Sequence, residues 1–412
     1  MNTKIKLHTI KNKMQIIPII ILVLFSKTMY FGVEIRSRFQ YVFYGIALMI
    51  ALFFGISKKT FKKNCIQWVS IIIIILLHIL LDKGNEMGDS INSIAGQLLT
   101  IISCIMIASS ISRVSFCQSY ILVMVIMSII SFPMFVIGLV NPSLAKSLAR
   151  TTMKWENPYE YSIFYTWGRH GIILQRNSGM FWEPGAFQAF IVIALLLMIS
   201  LMVNNHIDKK KLAIYKLYFI ILITALLTTQ STTGFIICIV YLIVFNKDIV
   251  QLFSIGQRGK TAIKLFIIVL TVLTVQYIVF SNNISNKLNN VDNDSANIRY
   301  NDLLISIRLF FSKKGFFVGL GNTHTRQFLE YKFNIEKNSV GILKAGYTYG
   351  SIFLLSYLYL CLKGLRSYFP LDRRKYFIVF FVIFIILGCT ENLIYLPTFI
   401  LLLCDFKRND IS

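Results

Sequence analysis

Arg176-Asn177-Ser178-Gly179-Met180-Phe181-Trp182-Glu183-Pro184-Gly185-Ala186-Phe187-Gln188 leads from a polar, ionisable stretch into an apolar run, Ala186 to Val203. The apolar run is long enough to read as a membrane-crossing helix. Pro184 suits the first turn of a helix, where its missing N–H costs nothing. Arg176 and Glu183 therefore sit at the mouth of that helix. Ionisable groups set against a membrane helix are unfavourable to place, which makes them functional candidates by default. The plain alternative is a polar loop with a helix-starting proline.

Working outward, the rest of the chain has the same apolar character. Of its 412 residues, 56% are hydrophobic and 15% charged, and the mean hydropathy is +0.67. A soluble domain carries about 25% charged residues. The apolar residues come in blocks rather than in a 3.6-residue stripe, the pattern of helices surrounded by lipid. The expected fold class is an all-α polytopic membrane protein. The spans are 14–33, 39–56, 66–81, 91–111, 117–140, 186–203, 212–229, 231–245, 262–280, 339–362, 376–388 and 392–404. The last two also read as one broken or re-entrant element around Cys389-Thr390-Glu391-Asn392. The first run reads as an uncleaved span, since no small-residue cleavage site follows it.

Orientation follows from the short loops. Lys4, Lys6, Lys11, Lys13, Lys58, Lys59, Lys62, Lys63, Arg113 and Lys209–Lys211 fall on one side of a twelve-span arrangement. Lys247, Arg258, Lys260, Lys363, Arg366, Arg373–Lys375, Lys407 and Arg408 fall there too, whereas the acidic loop at Asp82, Glu86 and Asp89 falls on the other. The basic side is the cytoplasmic one, so both termini are expected inside. The same rule accounts for most of the formal charge of +24 and removes the need for a nucleic-acid partner. Five blocks result: N-terminal spans (1–140), a first long outer loop (141–185), central spans (186–280), a second outer loop (281–338), and C-terminal spans with a tail (339–412).

The outer loops are cationic: 141–185 holds five basic against three acidic side chains, and 281–338 holds eight against five. That excess suits an anionic ligand, although solvated loop charge would look the same. In the second loop, Asp294 or Ser295 is placed to cap a short helix that carries Arg299 and Asp302 on one face and Leu304, Ile307 and Phe311 on another. Such a helix would lie on the membrane surface or pack onto the bundle. Arginine suits phosphate because its planar fork donates paired hydrogen bonds and stays charged. Arg176 and Arg299, meeting over one cavity, would hold a pyrophosphate without a metal. Glu183 and His324, the latter in the turn Gly319-Leu320-Gly321-Asn322-Thr323-His324, are candidate bases for a hydroxyl proton. Arg169 and His170 form a weaker candidate pair, and Glu391 is a polar residue at membrane depth. There is no P-loop, no dinucleotide fingerprint, no GxSxG elbow and no aspartate cluster suited to magnesium. The seven cysteines show no CxxC and no His/Cys grouping, which disfavours disulfides and zinc.

Four stretches together resemble the superfamily of Wzy-type polysaccharide polymerases and O-antigen ligases, bacterial inner-membrane proteins that use lipid-linked glycans. They are Arg176-x-x-Gly-x-Phe-x-Glu183-Pro184-Gly185, Ser231-Thr232-Thr233-Gly234, Arg299 followed by Gly319-Leu320-Gly321, and Lys337-Asn338-Ser-x-Gly-x-Leu343-x-x-x-Gly346-x-x-x-Gly350. Thr390-Glu391-Asn392 also fits, and the similarity covers mainly residues 170–404. The resemblance implies a glycosyltransferase-C-like helical fold with no metal and no other cofactor. It implies that Arg176 and Arg299 bind the lipid pyrophosphate, with Lys337, Asn338 and Glu391 in support. Family members often have His-Asn where this chain has Lys337-Asn338, so the base passes to His324 or Glu183.

The expected activity is inverting transfer of a glycan from undecaprenyl pyrophosphate to a hydroxyl of the next lipid-linked repeat unit. It would take place at the outer face of a bacterial cytoplasmic membrane, among membrane lipids, with a chain-length regulator as a further partner. Two readings compete with this one. A ligase of the same superfamily would move finished glycan onto an acceptor, and a glycolipid flippase would carry the lipid-linked unit across.

Overall fold

The computed structural model describes residues 14–81, 87–151, 158–169, 172, 173, 176–253, 268, 295–321, 325, 329 and 340–408. The described chain is mostly helical. Five helices among the described residues are long and apolar enough to cross a membrane: Lys58–His78, Ile91–Ser110, Arg113–Val140, Pro184–Val203 and Lys209–Thr228. A sixth arises if Thr232–Val244 and Asn246–Phe253, bent by 74°, count as one span. Several helices turn apolar stripes outward, such as Ile66, Val69, Ile73 and Leu77 on the first, and Ile352, Leu355, Tyr359 and Leu362 on Ser351–Arg366. Exposed side chains at this 3–4 spacing form one helix face. Apolar faces of that extent suit lipid rather than water.

Fewer helices qualify as spans than the twelve expected, because some expected spans are pairs of short helices. The run 14–33 contains the helix Ile16–Leu24, a break, and a π-helical segment Met29–Ile35. The run 339–362 is Gly341–Tyr349 followed by Ser351–Arg366. The run 392–404 keeps only Pro397–Leu403 as helix. The run 262–280 lies outside the described residues apart from Ile268.

The chain divides into two compact units. The first comprises Met1–Gln40, Ile111–Ser281 and Tyr368–Tyr376, and the second Tyr41–Ser110, Asn282–Ser367 and Phe377–Ser412. In the first unit the helix Pro184–Val203 is central, with every residue from Pro184 to Leu201 buried. A helix apolar all round belongs inside a bundle, and Tyr120 and Tyr241 donate hydrogen bonds to its Phe190 and Leu195 carbonyls.

The segment 141–185 contains a four-stranded antiparallel sheet that the sequence reading does not anticipate. Its strands are β1 (Arg150–Thr151), β2 (Tyr159–Tyr161), β3 (Thr166–Arg169) and β4 (Ile172–Ile173), in that order. Tyr165 and Trp167 anchor it to Met134, Phe135 and Ile137 at the end of Arg113–Val140. The Trp167 indole N–H donates to the Met134 carbonyl at 3.3 Å. Burial pushes the Tyr165 phenol up, against the pull of a backbone hydrogen bond at Ser178.

In the second unit Ser295–Phe310 and Gly341–Tyr349 pack together. Leu309, Phe310 and Tyr347 form a buried cluster there with Leu329. On the first of these helices Asp302 and the apolar residues Leu304 and Ile307 take different faces, as expected. Asp302 and Ser306 are buried, while Leu304, Ile307 and Phe311 are exposed. Leu309 and Phe310 are buried on the inward side with them, and the exposed apolar face is one that a membrane surface would cover.

Candidate functional site

In the first unit the loop from Arg176 to Glu183 is stitched to two helix ends. Asn177 is fully buried, and its side chain makes three hydrogen bonds. Its Nδ2 donates to Ser131 Oγ and Thr228 Oγ1, both at 3.0 Å, and its Oδ1 accepts from the Gly179 N–H at 3.0 Å. The Asn177 N–H adds a bond to the Thr228 carbonyl at 2.9 Å. Asn177 thereby holds the turn through Gly179, whose φ is +53°. Arg176 Nε donates to the Thr229 carbonyl at 3.1 Å. That carbonyl follows the end of Leu212–Thr228, so one of the arginine's five donors serves a helix C-terminus, where cations are favoured. Ser231–Gly234, another of the resembling stretches, closes the same corner. An added Cβ on Gly234 would stand 2.9 Å from Gln188 Cγ. Two of the four stretches are thus neighbours.

Glu183 occupies the N-cap of Pro184–Val203, with Pro184 next to it, as the local sequence predicts. Its side chain makes no capping bond. Instead Oε1 accepts the Trp182 indole N–H at 2.5 Å, and the residue is half-buried. Beyond the indole stands Lys27, whose Nζ lies 4.4 Å from the ring centroid. Lys27 is missed by the sequence reading, because one cation inside a long apolar run barely changes its hydropathy. It sits at the break between Ile16–Leu24 and Met29–Ile35. The backbone groups freed by that break are met by the Arg176–Glu183 loop. The Met29 N–H donates to the Met180 carbonyl at 2.8 Å, the Trp182 N–H to the Lys27 carbonyl at 3.3 Å, and Thr28 bridges Phe181.

The second unit repeats this device. Gly341–Tyr349 and Ser351–Arg366 are separated by Gly350, with φ +86°. The Tyr347 and Thr348 carbonyls at the break accept the Leu320 and Gly321 N–H groups at 2.8 and 3.0 Å. Gly319, with φ +87°, lies so close that an added Cβ would stand 2.3 Å from the Thr348 carbonyl oxygen. The glycines of both resembling stretches are therefore needed for one close backbone approach. The same helix begins against Glu391 and Asn392: an added Cβ on Gly341 would stand 2.7 Å from the Glu391 carbonyl oxygen. Glu391 is itself 6% exposed.

Arg299 lies in the helix Ser295–Phe310, one turn before the buried Asp302. Asp302 is in electrostatic reach of Lys344 and Tyr347 on the neighbouring helix. Arg169 lies in β3. His170, His324, Lys337 and Asn338 lie outside the described residues. Arg176 and Glu183 belong to the first unit, Arg299 and Glu391 to the second. Among the described residues no three His, Cys, Asp or Glu side chains gather as a metal-binding group. All seven cysteines are free thiols. Comparison with known proteins finds no family model that matches the chain and no curated protein that matches it.

Proposed function

We propose that the chain is a polymerase of lipid-linked glycan repeat units in a bacterial cytoplasmic membrane, a polytopic glycosyltransferase with a glycosyltransferase-C-like fold of about twelve spans. The observation that carries this reading is the double stitch just described. Each unit has a broken apolar helix whose freed backbone groups are held by a loop from one of the resembling stretches. Irregular backbone at membrane depth is tolerated where protein buries it or a cavity needs it, and broken helices of this kind present binding groups inside membrane proteins.

In the proposed reaction an acceptor sugar hydroxyl attacks the anomeric carbon of the donor glycan. The new C–O bond forms as the bond to the undecaprenyl pyrophosphate oxygen breaks, with inversion. Arg176 and Arg299 stabilise the charge that grows on the departing pyrophosphate. Glu183, held by the Trp182 indole, takes the hydroxyl proton, a role shared in prospect with His324. The leaving group is already activated, so the chain's own part is charge stabilisation, a base and positioning. Both termini are placed in the cytoplasm, with residues 141–185 and 281–338 outside. A chain-length regulator is the expected protein partner.

The test is the surface-glycan ladder of a deletion strain complemented with wild type, Arg176→Ala or Arg299→Ala at matched protein level. A single-repeat band in the deletion, lengthened only by wild type, is the expected result. Unchanged ladders from both variants would refute the mechanism. Full-length lipid-linked glycan left unattached in the deletion would indicate the ligase, and lipid-linked units confined to the cytoplasmic face the flippase.

A further inference from the structure

Lys27 is a cation enclosed in the first unit, 8% exposed, between the buried Ser26 and Thr28 in a mostly apolar run. An ammonium in that setting is unfavourable unless something compensates its lost hydration. Its backbone is held in the left-handed region, φ +59°, which non-glycine residues rarely adopt. A π-helical segment, Met29–Ile35, follows directly, and such segments gather at functional sites. Gly32 lies over the start of this turn, where an added Cβ would stand 2.9 Å from the Lys27 backbone nitrogen. The backbone at and just after Lys27 is tied to the loop that begins with Arg176, through Trp182 with Lys27 and Met29 with Met180. The ammonium rests on the Trp182 face, and the edge of that indole donates to Glu183.

We propose that Lys27 is a further cationic contact for the pyrophosphate of a prenyl-linked donor, presented by the break in the first apolar run beside the Arg176–Glu183 loop. This inference rests on the polymerase reading, which supplies the anionic ligand. The Trp182 face holds the Lys27 side chain in place before the ligand arrives. The strained turn aims it, and the Lys27–Trp182–Glu183 sequence of contacts links anion binding to the placement of the base. Strain retained at one residue is most readily explained where a ligand uses the geometry.

The experiment measures equilibrium binding of farnesyl pyrophosphate and of farnesol to the full chain in uncharged detergent. Wild type, Lys27→Met, Lys27→Arg and Arg176→Ala are compared. Lys27→Met keeps the length and apolar stem of the side chain but removes its charge. It is expected to weaken farnesyl pyrophosphate binding about tenfold or more, the scale of one charge-assisted hydrogen bond, and to leave farnesol binding unchanged. Lys27→Arg is expected to stay close to wild type. Equal binding of farnesyl pyrophosphate by Lys27→Met and wild type would overturn the proposal, as would equal loss of both ligands. If Arg176→Ala loses binding while Lys27→Met does not, the inference fails and the polymerase reading stands. If wild type does not bind farnesyl pyrophosphate at all, both fail. Phosphatidylglycerol is the remaining arm: a bilayer phosphate that competes as strongly as farnesyl pyrophosphate would assign Lys27 to ordinary lipid contact instead.

Discussion

Replacing Asn177 by alanine removes three side-chain hydrogen bonds at one fully buried position. In a water-soluble protein each neutral bond contributes about 1 kcal/mol net, which gives about 3 kcal/mol in total. In a membrane protein the measured average is about 0.6 kcal/mol per bond, which gives about 2 kcal/mol. The Gly179 N–H then loses its acceptor inside the turn, which moves the sum toward the upper figure. The expected destabilisation of Asn177→Ala is therefore about 2–3 kcal/mol. Asn177→Asp keeps the acceptor for Gly179, loses both donors, and brings a charge into a buried site. It is expected to be worse than alanine, since an uncompensated buried charge costs more than a missing neutral bond. The assay is reversible unfolding of the purified protein in mixed micelles, followed by circular dichroism. A loss below about 0.5 kcal/mol, the level of an indifferent surface change, would refute the view that Asn177 pins the loop. So would an aspartate variant more stable than the alanine one.

Two further predictions concern glycine and tryptophan positions. Gly319→Ala meets the Thr348 carbonyl oxygen at 2.3 Å in a backbone with φ +87°, and it is expected to cost at least about 2 kcal/mol or to prevent accumulation of folded protein. Gly45→Ala, in the helix Arg36–Phe54 with nothing near its added Cβ, is the control and is expected to be neutral or stabilising by up to about 1 kcal/mol in the same unfolding assay. Trp182→Phe keeps an aromatic face for Lys27 and removes the N–H donated to Glu183. Polymer yield in the complementation assay is expected to fall about tenfold or more at unchanged protein level, because a misplaced base loses its attack geometry. An unchanged yield would remove Glu183 from the mechanism.

The features that were legible in the sequence are those set by local chemistry. The helix beginning at Pro184 was readable because proline at N1 and an apolar run are both local signals. The short helix carrying Arg299 was readable from the local sequence, and it spans Ser295–Phe310. Strands β1 to β4, each of two to four residues, are too short to show a two-residue period, and the sheet's anchor, Tyr165 and Trp167 on Met134 and Phe135, joins segments about thirty residues apart. The breaks at Phe25–Thr28 and Gly350 were read as continuous spans. Hydropathy averages over a window, whereas a break depends on who satisfies the freed carbonyls and N–H groups, and those partners are distant in sequence: Met180 and Trp182 for the first break, Leu320 and Gly321 for the second.

That dependence has a consequence for stability. In the first unit neither the break nor the loop is favourable alone. An interrupted helix at membrane depth leaves polar backbone unpaired, at several kcal/mol per group, and a buried loop leaves its own N–H and carbonyl groups unpaired in the same way. Each supplies what the other lacks, through Met29 with Met180, Thr28 with Phe181, and Trp182 with Lys27. Substitutions on the two sides should therefore couple. Met29→Pro removes the N–H given to Met180, and Asn177→Ala loosens the loop that presents Met180. In the double variant the second change finds a contact already lost, so the combined destabilisation should fall short of the sum by more than about 0.5 kcal/mol. Independent sites add to within that margin. Additivity in the unfolding assay would mean that helix and loop form separately, and the break would then need another cause than the loop that covers it.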